Sequence, residues 1–253
     1  MSNAFEGDLR AGLGELQLEL SDEQVGKLLD YQDLIGKWTK VYNLTAVRDP
    51  AEMLTHHLLD SLAAITPLQR QLKQMGLEQG SRLLDVGSGA GLPGVVMAIC
   101  CPSVGVTCVD AVAKKAAFIK QAALALKLPN LTGLHARVET IELPFDVICS
   151  RAFASLSDFT HLSVGALANN GAWMAMKGKH PEDEIAALPE SVQVFHVEQM
   201  AVPGLQAERC IVWMRKRQPE PIGSVFLPGR PKEKCAPLGG SALHAVKSVG
   251  AML

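Results

Sequence analysis

The sequence predicts an α/β protein: a mostly parallel sheet covered by helices on both faces, preceded by a helical extension. Three observations carry that expectation. From Arg82 onward, apolar runs of strand length alternate with helical patterns. A glycine-rich stretch, RLLDVGSGAGLPG (82–94), sits at the first strand-to-helix junction. Upstream of it, Ser21-Asp22-Glu23-Gln24 has the S-x-x-Q form of a capping box that opens a helix. At 253 residues and 48% hydrophobic composition, the chain is long enough for one such core.

In chain order, residues 1–20 carry little periodic signal. After the capping box, Val25, Leu28, Leu29, Ile35 and Trp38 recur at helical spacing to about Tyr42. Asp49-Pro50 resembles an N-cap followed by proline at the first helical position. A second helix is expected from there to about Ile65, carrying Met53, Leu54, His57, Leu58 and Ser61. Strands are expected at 83–86, 104–109, 131–135, 145–150 and 172–176, and helices at 93–101, 113–126 and 156–167, with a short one near 181–187. Two late apolar runs, 192–197 and 210–215, have no full helix between them and predict an antiparallel hairpin at one sheet edge. Prolines 219, 221, 228, 231 and 237 mark a flexible tail with a short helix near 242–249. The expected division is therefore a helical region over 1–80, a catalytic α/β domain over 81–216 and a tail over 217–253.

Composition removes several function classes. The six cysteines (100, 101, 108, 149, 210, 235) form no CxxC pair and no metal-ligand spacing, and they read as buried reduced thiols in a cytoplasmic protein. No basic-then-apolar leader and no apolar run of the ~18 residues needed to span a bilayer is present, so no membrane partner is expected. His56 and His57 are adjacent, point different ways on a helix and give no metal site. Residues 1–216 hold 19 Lys/Arg against 24 Asp/Glu, or −5, while 217–253 hold 5 against 2, or +3. A strongly basic nucleic-acid binder is excluded, and contact with RNA would need a local patch. Lys114, Lys115, Lys120, Lys177, Lys179, Arg48 and Arg209 are candidates for one, against the plainer reading of each lysine as solvated surface.

The glycine loop presents backbone N–H groups at a helix N-terminus. It is not a phosphate-binding Walker loop, because Val95 and Val96 stand where Lys and Ser/Thr are required. A dinucleotide GxGxxG register exists at Gly89, Gly91 and Gly94, although it falls late relative to the strand. The remaining form is D-x-G-x-G-x-G, with Asp85 before Gly87, Gly89 and Gly91, the loop of class I S-adenosylmethionine-dependent methyltransferases. That cofactor has no phosphates, and alternating glycines let its amino-acid and ribose parts lie against bare backbone. Asp110, 23 residues past Gly87, ends the next strand, where a carboxylate can accept ribose hydroxyls. NAD sites use an acid there too, so Asp110 alone does not separate the two cofactors.

Three segments together resemble one family: KWTKVYNLTAVRDPAEMLTHHLLDSL (37–62), LLDVGSGAGLPG (83–94) and FDVICSRAFASL (145–156). They are similar to the RsmG/GidB family of bacterial 16S rRNA guanine-N7 methyltransferases, over about Ser21 to Lys216. The resemblance implies a Rossmann-like, seven-stranded methyltransferase sheet, S-adenosyl-L-methionine as cofactor, and a single guanosine of the small ribosomal subunit as substrate. It also implies cofactor contacts at Gly87, Leu92, Val138, Glu139 and Arg151, with Asp110 at the ribose position of the wider class. The tail has no counterpart in the family, and a monomer is expected.

The chemistry agrees with the residues that are missing. Guanine N7 has an in-plane lone pair and no proton, so it needs alignment rather than a general base. The [N/D]-P-P-[Y/F/W] motif of exocyclic-amine methylases is replaced by Ser150-Arg151-Ala152-Phe153, and Cys149 lies in an apolar strand. Arg151 is the candidate catalytic residue, its planar guanidinium suited to holding the cofactor or the base. Phe153 reads equally as a base-stacking residue or as core. Trp38 and Tyr42 are expected to anchor the helical region to the sheet. A methyltransferase acting on a small molecule or a protein stays open on the residues alone.

Overall fold

The computed structural model describes residues 5–218. The expected tail beyond Gln218, with its helix near 242–249, lies outside the described residues. Seven strands form one sheet: β1 (Arg82–Val86), β2 (Gly105–Asp110), β3 (Leu131–His135), β4 (Phe145–Arg151), β5 (Leu167–Lys177), β6 (Val192–Met200) and β7 (Arg209–Lys216). Their order is β3-β2-β1-β4-β5-β7-β6. The first five pair in parallel, and β7 runs antiparallel between β5 and β6. The expected hairpin is therefore present at one edge.

Side chains alternate across the sheet and divide the core in two. Leu83, Val106, Val147, Cys149 and Met174 face one layer, and Leu84, Val109, Ile148, Trp173 and Ala175 face the other. The first layer is continuous with the N-terminal helices: Leu9, Leu28, Ile35 and Leu58 share its core.

Those helices are α1 (Glu6–Glu15), α2 (Asp22–Tyr42), α3 (Pro50–Met53), α4 (Asp60–Leu62) and α5 (Ile65–Gln74), with a π-helical turn at Leu54–Leu59 between α3 and α4. The Ser21/Gln24 capping box is present in both directions, and Asp49 accepts from the Ala51 and Glu52 N–H groups. Helix α1 escaped the sequence reading because glycines 7, 12 and 14 dilute a ten-residue helix whose anchors are Leu9 and Leu13. The helix expected to end near Ile65 instead breaks at Ala63-Ala64 and restarts as α5.

The remaining helices are α6 (Gly94–Cys100), α7 (Ala113–Ala125), α8 (Leu156–Ser163) and α9 (Glu182–Ala186). Helix α8 stops four residues before the expected Leu167. A 3-10 turn at Val164–Ala166 follows, and β5 then begins at Leu167. The Thr160 and Ser163 hydroxyls bond back to the Leu156 and Phe159 carbonyls in that last turn, and Trp173 Nε1 donates to Ser163 Oγ at 2.9 Å.

Chain order places the active end of the sheet. From β1 the chain moves outward to β2 and β3, then returns to the other side of β1 with β4. Ligands of open α/β sheets bind beyond the strand C-termini at such a reversal. Val86, Asp110 and Arg151 end three adjacent strands there.

Candidate active site

Two cavities lie at this end of the sheet. The smaller, of about 220 Å³, is lined by Gly87, Asp110, Ala136, Val138, Glu139 and Phe153 among others. Gly87, Gly89 and Gly91 all take positive φ, +66°, +59° and +86°, a conformation open to glycine at little cost. At Gly87 a Cβ would stand 2.5 Å from Phe153 Cδ2, so the bare backbone leaves room for that ring. Phe153 is neither core nor free surface: it is 36% exposed, sits edge-on to Phe159 and lines this cavity.

Asp110 ties the loop to β2. Its Oδ2 accepts from Gly89 N at 3.0 Å and pairs with Lys115 Nζ at 3.8 Å, and its Oδ1 accepts from Val112 N at 2.8 Å and keeps a further lone pair. A cavity with bare glycine backbone, a strand-end carboxylate and an aromatic wall fits a nucleoside with a ribose diol. The apolar Val138 and the Ala136–Glu139 backbone suit its base.

The other expected cofactor residues lie outside that lining. Asp85 is fully buried below the loop, where Oδ2 accepts from Gly94 N at 2.9 Å and Oδ1 has no partner. Burial pushes its carboxyl up to about 7, against the pull of the Gly94 N–H and Arg151. Gly91 is packed against Val95 and Tyr31, and Leu92 is 5% exposed. Tyr31 Oη donates to Ala90 O at 2.6 Å, so α2 clamps the loop from behind. Trp38 does anchor α2, edge-on to Phe118 of α7, whereas Tyr42 is 42% exposed and packs on Trp38.

The larger cavity, about 390 Å³, is lined by His56, His57, Asp60, Arg151, Lys177 and Arg209 among others. Its centre is Asp60, 2% exposed and not singled out by the sequence reading. Asp60 Oδ2 accepts from Arg151 Nη1 at 2.8 Å, and Oδ1 accepts from Arg209 Nε at 2.7 Å. Arg151 Nη1 also donates to the His56 carbonyl at 2.9 Å. The π-helical turn carries both histidines and delivers Asp60 at its end; such turns recur at functional sites. One signal for Asp60 was available. It follows Met53 by seven residues and His57 by three, which places an acid on the apolar face of the expected helix, where it calls for cationic partners.

His57 Nε2 lies 2.8 Å from Thr45 Oγ1, and burial lowers its imidazole to about 4, with Arg151 opposing the proton as well. Lys177 donates to Glu184 and to the Ala154 carbonyl. Lys177 and Arg209, expected on an RNA-facing patch, are thus engaged in ion pairs, while Lys114, Lys120 and Lys179 are exposed. Cys149 is fully buried, as expected of a core thiol.

Three consecutive residues join the cavities. Arg151 and Ala152 line the larger one and Phe153 the smaller. Ala152 between them has φ +51°, a strained value for alanine that turns the chain from one cavity to the other.

A model of the GidB family, rRNA small subunit methyltransferase G, matches residues 24–212. The chain belongs to that family. A relative from Polaromonas sp. (strain JS666 / ATCC BAA-500), named Ribosomal RNA small subunit methyltransferase G, is 79% identical over 210 residues, 83% of this chain and 93% of its own length. Another of the same name, from Methylibium petroleiphilum (strain ATCC BAA-1232 / LMG 22953 / PM1), is 55% identical over 217 residues, 85% of this chain and 96% of its own. In fold the chain is similar to the N-methyltransferase NodS from Bradyrhizobium japonicum WM9, solved with S-adenosyl-l-homocysteine, with TM-score 0.51 and 16% identity over 72% of this chain and 100% of that one. The fold is thus that of class I S-adenosylmethionine-dependent methyltransferases, and the cofactor choice left open at the glycine loop goes to S-adenosylmethionine. Among the described residues, no helix is long and apolar enough to cross a membrane, and no group of three or more His, Cys, Asp or Glu could hold a metal ion.

Proposed function

We propose that this chain methylates N7 of a guanosine in 16S rRNA of the small ribosomal subunit. S-adenosylmethionine supplies a methyl group activated on sulfonium. The chain's own work is to hold a nucleoside in the Gly87–Asp110–Phe153 cavity and an acceptor base in the neighbouring one.

One observation carries the choice of acceptor: donors line the larger cavity, and the carboxylate among its lining residues is already paired. Arg151, Arg209 and Lys177 donate only. Asp60 is locked between two guanidiniums, and the His57 imidazole, lowered to about 4 by burial, is a weak base. An acceptor that must first lose a proton finds no unpaired carboxylate among the lining residues, whereas guanine N7 needs no proton removed. The O6 beside N7 accepts hydrogen bonds, where adenine would present an amino donor to a donor-lined wall.

The test uses methyl-labelled S-adenosylmethionine, 30S subunits lacking this modification, and nucleoside analysis of the recovered RNA. Labelled 7-methylguanosine is the expected product; label in another nucleoside or in protein would overturn the assignment. Arg151→Ala is expected to cut turnover on the order of 100-fold while the fold stays intact. Wild-type turnover in that variant removes Arg151 from the chemistry.

A further inference from the structure

Away from both cavities, a groove of about 400 Å³ runs between the C-terminal half of α2 and residues 48–53. Lys37 and Lys40 stand exposed on one side and Arg48 on the other, with Asp33 the one acid among the lining residues. Its floor has two unusual features. Gln32 and Thr39 are 5% and 2% exposed, and each keeps a side-chain oxygen, Oε1 and Oγ1, without a hydrogen-bond partner. Gln32 Nε2 donates to the Pro50 carbonyl at 2.8 Å, which fixes the amide so that Oε1 is the orphan. Between them in sequence lies Gly36, also in the lining, where a Cβ would meet nothing within 4 Å. Glycine is the poorest ordinary residue for a helix interior, and no neighbour here requires it. What its missing side chain leaves open is the groove.

We propose that this groove seats the ribose–phosphate backbone of the rRNA substrate, with phosphates on Lys37, Lys40 and Arg48 and ribose 2′-hydroxyls over Gln32 and Thr39. The inference rests on the reading of the chain as an rRNA methyltransferase. A phosphodiester only accepts hydrogen bonds, which suits the cations on the rim but not Gln32 Oε1. That oxygen needs a donor, and a 2′-hydroxyl both donates and accepts, so successive riboses can serve Gln32 and Thr39, which stand seven residues apart on α2. The groove also leads to the chemistry: Pro50 and Met53 form its wall, and the π-helical turn that follows carries His56 and His57 onto the acceptor cavity.

The test compares the full-length wild-type chain with Gly36→Leu and with the triple variant Lys37→Gln/Lys40→Gln/Arg48→Gln. Gly36→Leu fills the groove with a better helix former. It is expected to raise KM for 30S subunits about tenfold, with unchanged kcat and S-adenosylmethionine affinity and no loss of thermal midpoint. The triple variant is expected to lower the slope of log affinity against log salt for a protein-free 16S rRNA fragment by about 2. DNA of the same sequence should bind the wild type more weakly than the RNA. Wild-type KM in Gly36→Leu, an unchanged salt slope in the triple variant, or equal affinity for RNA and DNA overturns the proposal. A wild-type chain that binds the RNA with these dependences but forms no 7-methylguanosine defeats the proposed function and leaves the groove standing.

Discussion

Two of the aspartates buried at the active end of this sheet, Asp85 and Asp60, have opposite surroundings. Asp85, beneath the glycine loop, accepts from one backbone N–H and the Cys108 thiol, keeps one unpaired oxygen and has no cation in contact. Asp60, under the acceptor cavity, has a guanidinium on each oxygen. Asp85 belongs to a motif written in a dozen consecutive residues, and it shapes a loop without lining the cavity. Asp60 belongs to no local motif, and it gathers the cations that line the other cavity. The proposed cofactor side of the site is built of backbone held by scaffolding, and the proposed acceptor side of charged side chains held by one another.

The largest effect expected of that contrast is on pH-dependent stability. The folded-state pKa of Asp85 is raised from 3.8 to about 7. Between those values the folded chain keeps a proton that the unfolded chain has released, so stability falls as pH rises through the window and levels off above it. About three units correspond to about 4 kcal/mol. Asp85→Asn should flatten the denaturant-derived stability profile between pH 4 and 8 relative to wild type; parallel profiles would mean that Asp85 is solvated or paired.

Asp60→Ala should act differently. Removing it leaves two guanidiniums facing each other and costs about 3 kcal/mol of stability. Arg151 and Arg209 then lose their positions, and turnover on 30S subunits should fall on the order of 100-fold. Cofactor affinity, read by calorimetry, should hold. If it falls in step with turnover, the two cavities act as one and the contrast fails; Asp60→Asn, which keeps the size and one acceptor, allows that comparison should the alanine variant not fold.

The same contrast explains what the sequence made legible. The parallel strands β1 to β4 read as apolar runs and were placed within a residue, and the antiparallel β6 and β7 within three; β5 was not. Its first half carries Asn169 and Asn170 and was hidden behind the end of α8. The glycine loop was readable because positive φ and close approach are decided residue by residue. The Asp60 cluster was not, because its partners lie 91 and 149 residues away, and only the sheet order and the π-helical turn bring them together. Helix α1 was invisible for another reason: its three glycines oppose it locally, and packing of Leu9 and Leu13 into the shared core overrides them.

On the cofactor side, Gly87→Ala sharpens the contrast from backbone alone. A methyl group there meets Phe153 and must adopt φ +66°. Together these should cost about 2 kcal/mol, or about thirtyfold in S-adenosylmethionine Kd. Adding Phe153→Ala relieves the contact but not the backbone strain, so the double variant should recover part of the loss. Full recovery would show that φ at this position matters little.

Asp110 decides whether any carboxylate on that side contacts the cofactor rather than only the loop. Asp110→Asn keeps the shape but turns one of two acceptors into a donor, which faces either the Gly89 or the Val112 N–H. The charge that would draw a ribose diol is lost as well. The expected change is about tenfold in S-adenosylmethionine Kd, about 1.4 kcal/mol, with kcat at saturating cofactor unchanged. A fall in kcat at constant Kd would instead place Asp110 with Asp85, as a residue that shapes the loop and leaves the ribose to backbone groups.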